Sequence, residues 1–452
     1  MIYDLLILGG GPAGYLAAER ASEHGFKCLL IEKEHIGGVC LNEGCVPSKS
    51  LLYSAKIYES ALHGESSGVI VKDIKLDHSA VMKKKAGVID FLVGGIKSKL
   101  KKLKVDIISE TGVIQPKTAD GFVVSAGAEK YTGKRLLIAT GSSSAVPPIK
   151  GVKEAIAGGF VLTNREILSL AKVPKNLVII GGGVIGLEMA SYYNTAGSNV
   201  TVIEMLGNIA GYVDKDISSL LLKTYTEKGV KFNLNCKVTE ITKTGVVFEQ
   251  DGKPFEVNAD KVLLSVGRRP NTENIGLENL GVFAERGFVK VDEQMRTNIA
   301  GVYAAGDVNG LSMLAHSAYR QSEVAVNVMF GKTDKVNYDA IPSVIYTNPE
   351  AAAVGFTEES AKAKGLDVKC VKLPFVYSGR YVAESGGDGF IKLIIDKNAD
   401  CIVGCHMVGS YVSEFILSAV IMVDRKMRIE DIKKFVFPHP TVCEVLREAV
   451  FA

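Results

Sequence analysis

The 452-residue sequence predicts an α/β protein with two Rossmann-like dinucleotide-binding domains and a C-terminal α+β domain. Three observations predict it. The apolar run Leu5-Leu6-Ile7-Leu8 enters a glycine fingerprint, Gly9-Gly10-Gly11-Pro12-Ala13-Gly14. A second run, Asn176 to Ile180, enters Gly181-Gly182-Gly183-Val184-Ile185-Gly186, and 18 residues separate Gly14 from Glu32 just as they separate Gly186 from Glu204. From about residue 341 the texture changes to short strands and helices, with prolines at 342 and 349 and no third fingerprint.

Composition narrows the class. A hydrophobic content of 47%, a charged content of 23% and a formal net charge of +3 suit a globular protein and give no basic footprint for nucleic acid. No run of 18 apolar residues is present, so no membrane span is expected. The N-terminus begins a strand at Ile2 and carries Asp4, unlike a signal or transit peptide. Eight cysteines in a chain of this length do not make a secreted disulfide framework, and the expected compartment is the cytoplasm.

In the first fingerprint, Gly9 permits the tight turn, Gly11 lets a pyrophosphate approach and Gly14 lets helix pack on strand. The phosphate would sit on the N-terminus of a helix running through Ala17, Ala18 and Ala21. Glu32 ends the next strand, Cys28 to Ile31, where it can accept from ribose hydroxyls.

The stretch from His35 to Lys49 follows, with Cys40 and Cys45 five residues apart between Gly37-Gly38 and Pro47-Ser48-Lys49. On a regular helix that step separates Cα atoms by about 9 Å, whereas a disulfide needs roughly 4.4–6.8 Å. The two thiols can bond only if the backbone breaks between them, and Gly44 is the residue that permits it. A redox-active pair is one reading; two buried thiols in an unbroken helix is the other.

Residues 83–104 have the period of an amphipathic helix with a lysine-rich solvent face. Short strands are expected around 107–108, 122–124 and 135–139, the last ending at Thr140-Gly141, before a Val146-Pro147-Pro148 connector. In the second unit, Gly181, Gly183, Gly186 and Glu204 repeat the first. Residues 205–213 contain no Arg or Lys, which favours NAD over NADP because a carboxylate repels the 2′-phosphate. A helix over 217–225 and strands near 230–234, 236–242, 245–250 and 261–266 complete that unit. After the turn at Gly267-Arg268-Arg269-Pro270-Asn271-Thr272, Val302 to Val308 reads as a buried strand ending in Gly306-Asp307, with a helix from about Leu314; this segment is expected to rejoin the first sheet.

In the C-terminal part, strands near 368–373, 390–396 and 402–408 and helices at 357–364 and 411–423 are expected. His439 lies between prolines, five residues before Glu444, and is either an acid–base group oriented by a carboxylate or a loop histidine. Cys401 and Cys405 would lie about 13 Å apart along a strand and read as core thiols. Cys443, four residues after His439, could form a Cys–His nucleophile.

Taken together, Gly37-Gly38-Val39-Cys40-Leu41-Asn42-Glu43-Gly44-Cys45-Val46-Pro47-Ser48-Lys49, the two fingerprints and the His439…Glu444 pair resemble the flavin disulfide reductases, the class I pyridine nucleotide-disulfide oxidoreductases, nearly end to end. Within that family the match points to the branch that oxidises a dihydrolipoyl group with NAD+. The resemblance implies that Cys40 and Cys45 form a redox-active disulfide, with Cys40 facing the substrate and Cys45 the flavin. It implies FAD at the first fingerprint, with Glu32 on its ribose, Gly112 and Gly141 approaching by backbone, Asp307 on the ribityl chain, and Thr140 and Ala315 beside it. Lys49, paired with Glu188, would stand near the flavin edge. NAD would be held by Gly181, Gly183, Gly186 and Glu204, with Val238 and Gly267 alongside. His439 and Glu444 would form an acid–base dyad serving the cysteine pair of the other subunit of a homodimer.

The implied division is an FAD-binding domain at 1–147, an NAD-binding domain at 148–266, a second part of the FAD-binding domain at 267–340 and a dimerisation domain at 341–452. No metal is implied. The lipoyl group is expected on another protein, a carrier of a 2-oxo acid dehydrogenase complex or of a glycine cleavage system. Two departures stand out: Phe437 occupies a position where the branch often has a second histidine, and Gln321-Ser322 replaces a usual Glu-Gly. Rival readings are a glutathione- or mercuric-type reductase and a non-catalytic flavoprotein scaffold. The first lacks basic residues after Glu204, the second lacks a cysteine pair at Val450-Phe451-Ala452, and the third is opposed by Cys40, Cys45, His439 and Glu444 occurring together.

Overall fold

Strands that are apolar at every position have no polar face to give to water, so they belong in a parallel sheet covered on both sides. Leu5–Leu8 is such a strand and Asn176–Ile180 is one from Leu177 onward, and each is the middle strand of a five-stranded parallel sheet. The computed structural model describes residues 1–211, 213–384 and 386–452; Tyr212, in the 205–213 segment read for its lack of basic residues, lies outside the described residues.

The first sheet runs Val302–Ala304, Leu136–Ile138, Leu5–Leu8, Cys28–Ile31, Asp106–Ile108. Val302 pairs with Leu136 and Ala304 with Ile138, so the late segment enters as a parallel edge strand beside the early ones. Ile2–Tyr3 leaves this sheet. The chain breaks at Asp4, and Ile2–Tyr3 instead joins Glu129–Gly133 in a separate four-stranded sheet.

The second sheet runs Val161–Leu162, Lys261–Leu264, Asn176–Ile180, Asn199–Ile203, Lys231–Asn233. The duplication extends beyond the fingerprints. In both units the outer strand is followed by a three-stranded antiparallel meander (Gly112–Thr118, Gly121–Ala126, Glu129–Gly133; then Lys237–Ile241, Gly245–Gln250, Lys253–Asn258), after which the chain returns to the parallel sheet at Leu136–Ile138 or Lys261–Leu264. Lys253–Asn258 escaped the sequence reading because it is an edge strand with almost no buried position and hence no alternation.

The C-terminal sheet is antiparallel, ordered Ser343–Ile345, Glu350–Gly355, Cys401–Gly409, Phe390–Asp396, Val368–Pro374. Its first two strands and the helix Glu444–Phe451 were also unforeseen. Glu350–Gly355 reads Glu-Ala-Ala-Ala-Val-Gly, a composition that favours helix in isolation. Buried Ala351 and Ala352 give it the small profile of a covered inner strand, and tertiary packing overrides propensity. Among the described residues no helix is long and apolar enough to cross a membrane.

One buried ion pair fastens this sheet to the second unit. Lys392 Nζ donates to Asp214 Oδ2 at 2.9 Å and to Asp216 Oδ2 at 3.1 Å, with the Asp214 side chain 0% and Lys392 10% exposed. Asp214 also caps the helix Lys215–Glu227 by accepting from the Asp216 amide at 3.0 Å. Burial alone would lower the Lys392 pKa; the hydrogen bonds and charges of the two carboxylates outweigh it and hold the ammonium above the usual lysine range. Removing one partner strands a buried charge, so Lys392→Met is expected to cost about 3 kcal/mol or more. Chemical denaturation of the purified variant against the parent measures it; a loss within 0.5 kcal/mol, roughly the surface-substitution range, would contradict it.

Candidate active site

Both fingerprint helices, Pro12–Glu23 and Val184–Thr195, begin at a glycine N-cap (Gly11 and Gly183) without a side-chain cap. Their first-turn N–H groups therefore lack a side-chain acceptor, the arrangement that seats a phosphate. Glycine is enforced by contact as well as by turn. A Cβ on Gly14 would lie 1.8 Å from the Gly9 carbonyl oxygen, and one on Gly186 would lie 2.1 Å from that of Gly181. At Gly183 a Cβ would meet nothing within 4 Å, which leaves open space over the helix start.

The two acids are held identically. Glu32 accepts from the Gly10 amide at 2.6 Å and the Glu34 amide at 2.7 Å; Glu204 accepts from the Gly182 amide at 2.6 Å and the Leu206 amide at 2.8 Å. Each carboxylate is thus oriented by its own backbone and keeps further lone pairs for a ribose. These residues fit two dinucleotides, one per unit.

Between the units lies a cavity of about 1670 Å³, whose wall includes Gly11, Cys40, Cys45, Lys49, Asp307 and Glu188. Gly9, Glu32, Gly112, Thr140, Gly141 and Ala315 line it too. At Gly112 the need for glycine is internal: a Cβ would sit 2.3 Å from Leu8 Cδ1 and 3.0 Å from Ile31 Cγ2. From the second unit, Val184, Ile185, Met189, Ala210 and Val213 reach the cavity. Gly181 and Gly267 lie at the carboxyl ends of neighbouring second-sheet strands, and Val238 sits in the adjoining meander, half-buried against the core.

The chain from His35 folds as two short-spaced helices, Gly38–Glu43 and Cys45–Leu62, separated by Gly44 at φ −148°, ψ −107°. The break brings the Cys40 and Cys45 Cα atoms to 4.8 Å, and the two cysteines are disulfide-bonded. The unbroken-helix reading is thereby excluded. The first fingerprint supports this loop directly: the Gly37 amide donates to the Gly10 carbonyl at 2.8 Å, and a Cβ on Gly38 would lie 2.6 Å from Gly11 Cα.

Lys49, one turn after Cys45, donates to both Glu188 oxygens at 3.0 and 3.1 Å and lies 4.3 Å from the centre of the Tyr346 ring. Tyr346 in turn donates its backbone N–H to Glu188 at 3.2 Å. This contact joins the redox helix, the second fingerprint helix and the C-terminal domain. Asp307 accepts from the Ser142 hydroxyl, and Arg268 stands 3.8 Å from the same carboxylate oxygen. The Arg268 pKa is lowered by burial. Sequence reasoning missed Ser142, Arg268 and Tyr346. No motif marks them, because Ser142 meets Asp307, Arg268 meets Ser142 and Tyr346 meets Glu188 each across more than 100 residues of chain.

His439 Nδ1 lies 2.9 Å from Glu444 Oε1, at the start of the helix Glu444–Phe451. The Thr441 amide, at 2.8 Å, holds the Glu444 carboxyl below its usual pKa; burial opposes this and His439 adds to it. Glu444 therefore stays ionised throughout the range in which an imidazole titrates. The His439 side chain is 79% exposed, and the wall of the cavity holding the cysteines includes neither it nor Glu444. The structure brings His439 to Glu444 but not, within one chain, to Cys40–Cys45. Cys443 is no partner for His439: burial pushes its thiol pKa up, and Ser418 is its hydrogen-bond partner. Cys401 and Cys405 are buried. Phe437 packs against the C-terminal core. Gln321 and Ser322 are fully buried; Gln321 accepts from the Gly306 amide at 2.7 Å, and Ser322 donates to the Ala13 carbonyl at 2.7 Å.

Comparison with known proteins adds the following. The model of the pyridine nucleotide-disulphide oxidoreductase family matches residues 3–322, and that of the family's dimerisation domain matches residues 341–450. The chain is 38% identical to a dihydrolipoyl dehydrogenase of Cupriavidus necator, over 100% of this chain and 98% of the relative. It is 37% identical to one of Geobacillus stearothermophilus, over 99% and 95%. Among solved structures, LpdA from Mycobacterium tuberculosis superposes with a TM-score of 0.90 at 26% identity, covering 100% of this chain and 99% of that one. The HOCl-induced flavoprotein disulfide reductase RclA from Escherichia coli gives 0.86 at 25%, covering 99% of each.

The dependence on Gly44 can be checked. A Cβ there would lie 3.1 Å from the Val39 carbonyl oxygen and 3.3 Å from Cys40 Cα. Gly44→Ala is expected to lower stability by about 1–2 kcal/mol and to raise the fraction of air-oxidised protein with free Cys40 and Cys45. Alkylation and mass measurement count those thiols; a fully closed pair in the variant would refute the expectation.

Proposed function

Because this chain belongs to the pyridine nucleotide-disulphide oxidoreductase family, we propose that it is a dihydrolipoyl dehydrogenase, oxidising protein-bound dihydrolipoamide with reduction of NAD+ to NADH. The observation that carries this reading is the Cys40–Cys45 disulfide set across the Gly44 break, in the wall of a cavity between two dinucleotide units. Relatives with that name, matched over almost their whole length, support it.

The residues divide the work as follows. His439, oriented by Glu444, accepts a proton from one thiol of the dihydrolipoyl group. The resulting thiolate attacks Cys40 Sγ, a mixed disulfide forms, and Cys45 leaves as a thiolate. The second lipoyl thiol then attacks the lipoyl sulfur of the mixed disulfide, and its proton passes to Cys40, which departs as a thiol. The lipoyl group departs as its disulfide, and Cys40 and Cys45 are left holding the two electrons. FAD, which Gly9, Gly11, Gly14, Glu32, Thr140, Gly141, Asp307 and Ala315 would hold, supplies when bound the two-electron relay from the dithiol to NAD+. Lys49, hydrogen-bonded to Glu188 and set beside the Tyr346 ring, offers a positive charge next to the cysteines. Gly181, Gly183, Gly186 and Glu204, with Val238 and Gly267 nearby, form the NAD+ side, and the backbone-held Glu204 carboxylate disfavours a 2′-phosphate.

His439 stands apart from the cysteines of its own chain, and the dimerisation-domain match covers its segment. The reading therefore has His439 of one subunit of a homodimer serve the cysteine pair of the other. The lipoyl carrier would be a protein of a 2-oxo acid dehydrogenase complex or a glycine cleavage system.

Three outcomes are expected. Cys45→Ser should lower dihydrolipoamide-dependent NADH formation more than about a thousandfold, by analogy with loss of a covalent nucleophile; turnover at the parent level would remove the mechanism. The kcat/KM for NAD+ should exceed that for NADP+ by at least about tenfold, or 1.4 kcal/mol, and parity would refute the role given to Glu204. Hybrid dimers made from Cys45→Ser and His439→Gln chains should regain activity at one site in two, whereas no recovery would mean that each site is built within one chain.

A further inference from the structure

The helix Gly38–Glu43 ends next to the bend that sets Cys45, and the last carbonyls of a helix have no partner of their own. The Gly44 carbonyl is taken up locally, by the Ser48 amide at 3.1 Å and the Ser48 hydroxyl at 2.7 Å. The Glu43 carbonyl is taken up from elsewhere: Asn164 Nδ2, 121 residues away in the chain, donates to it at 2.7 Å. Asn164 opens the helix Asn164–Ile167, which directly follows the edge strand Val161–Leu162 of the second sheet. A hydrogen bond from the second unit thus holds the backbone two residues before Cys45.

Asn164 is itself held. Its Oδ1 accepts from the Ser144 hydroxyl at 2.6 Å and faces Arg268 Nη1 at 3.5 Å. Since a guanidinium only donates, the side-chain amide is fixed with oxygen toward Arg268 and nitrogen toward Glu43. A Thr163–Glu166 capping box makes the turn beneath it rigid. Arg268 continues inward, donating to the Ser142 hydroxyl at 2.7 Å and its carbonyl at 2.6 Å, and the Ser142 hydroxyl donates to Asp307. On the outer side, Arg165 reaches Glu43 at 2.8 Å and Glu34 at 2.6 Å. One chain of contacts, Glu43 C=O to Asn164 to Arg268 to Ser142 to Asp307, therefore links the redox bend to the acid on the far wall of the cavity.

We propose that Asn164 is the positioning residue of the redox pair: through the Glu43 carbonyl it fixes the bend at Gly44, and so keeps Cys40 and Cys45 within bonding distance. It touches neither sulfur and acts only through the backbone. Holding two thiols together favours their disulfide by raising their effective concentration. Loosening the bend shifts the pair toward the dithiol. The inference rests on Cys40–Cys45 being a reversible couple, as the proposed function has it, but not on the identity of the substrate.

The experiment equilibrates full-length FAD-loaded protein with oxidised and reduced dithiothreitol at graded ratios, then traps thiols by alkylation and counts them by mass. The variants are Asn164→Ala, which removes the contacts to Glu43, Ser144 and Arg268, and Asn164→Asp, which keeps an oxygen toward Arg268 but cannot donate to Glu43. Both are expected to raise the equilibrium constant for reducing Cys40–Cys45 about tenfold, equivalent to about 30 mV for a two-electron couple, at unchanged flavin content. Ser144→Ala, which frees one side of Asn164, should move it the same way by less. Reduction curves of Asn164→Asp that superimpose on the parent overturn the proposal. A parent that titrates reversibly but does not oxidise dihydrolipoamide would instead remove the proposed function and leave this inference standing if the variants still shift.

Discussion

Everything in the centre of this molecule depends on a helix being interrupted at one residue. A continuous helix would hold Cys40 and Cys45 about 9 Å apart; the break at Gly44 brings their Cα atoms to 4.8 Å. The break favours a residue without a side chain, because a Cβ would lie 3.1 Å from the Val39 carbonyl oxygen and 3.3 Å from the Cys40 Cα. It also leaves polar backbone groups without helical partners, and the neighbouring structure satisfies them. Ser48 takes the Gly44 carbonyl, and Asn164 takes that of Glu43.

The second constraint is duplication. Both units place a glycine N-cap at the carboxyl end of a central parallel strand, where phosphate meets unpartnered N–H groups. Both orient a strand-ending acid with two backbone amides of nearly equal length, and both attach a three-stranded meander before returning to the sheet. Residues of both units line one cavity, and the Cys40–Cys45 disulfide is in its wall.

Three groups of polar contacts fasten the units together around the cavity. Lys49 to Glu188 joins the redox helix to the second fingerprint helix, and Tyr346 adds the C-terminal domain. Lys392 to Asp214 joins the C-terminal sheet to the second unit with the side chains almost wholly out of water. Asn164 and Arg268 join the second unit to the bend and to Asp307. Buried charges and amides of this kind tolerate few alternative arrangements, since any shift leaves one of them unpaired.

The fingerprints, the acids at Glu32 and Glu204, the spacing of Cys40 and Cys45 around Gly44, and the His439…Glu444 pair were all legible in the sequence, because each is written within a few turns of chain and obeys local backbone geometry. The central parallel strands were legible as well, since burial on both faces leaves apolar runs, whereas the two-residue edge strand Val161–Leu162 was not. The strand Glu350–Gly355 was not, because its alanines favour helix and only the sheet and helix around it make it a strand. Nor was Lys253–Asn258, an exposed edge without alternation. The partners of Glu43, Asp214 and Asp307 lay beyond reach for a different reason. A hydrogen bond between residues more than 100 positions apart depends on how whole units pack, and nothing in the local sequence of either partner encodes that distance. The sequence alone therefore determined the chemistry that could occur. Tertiary packing decided which groups hold the reacting pair in place.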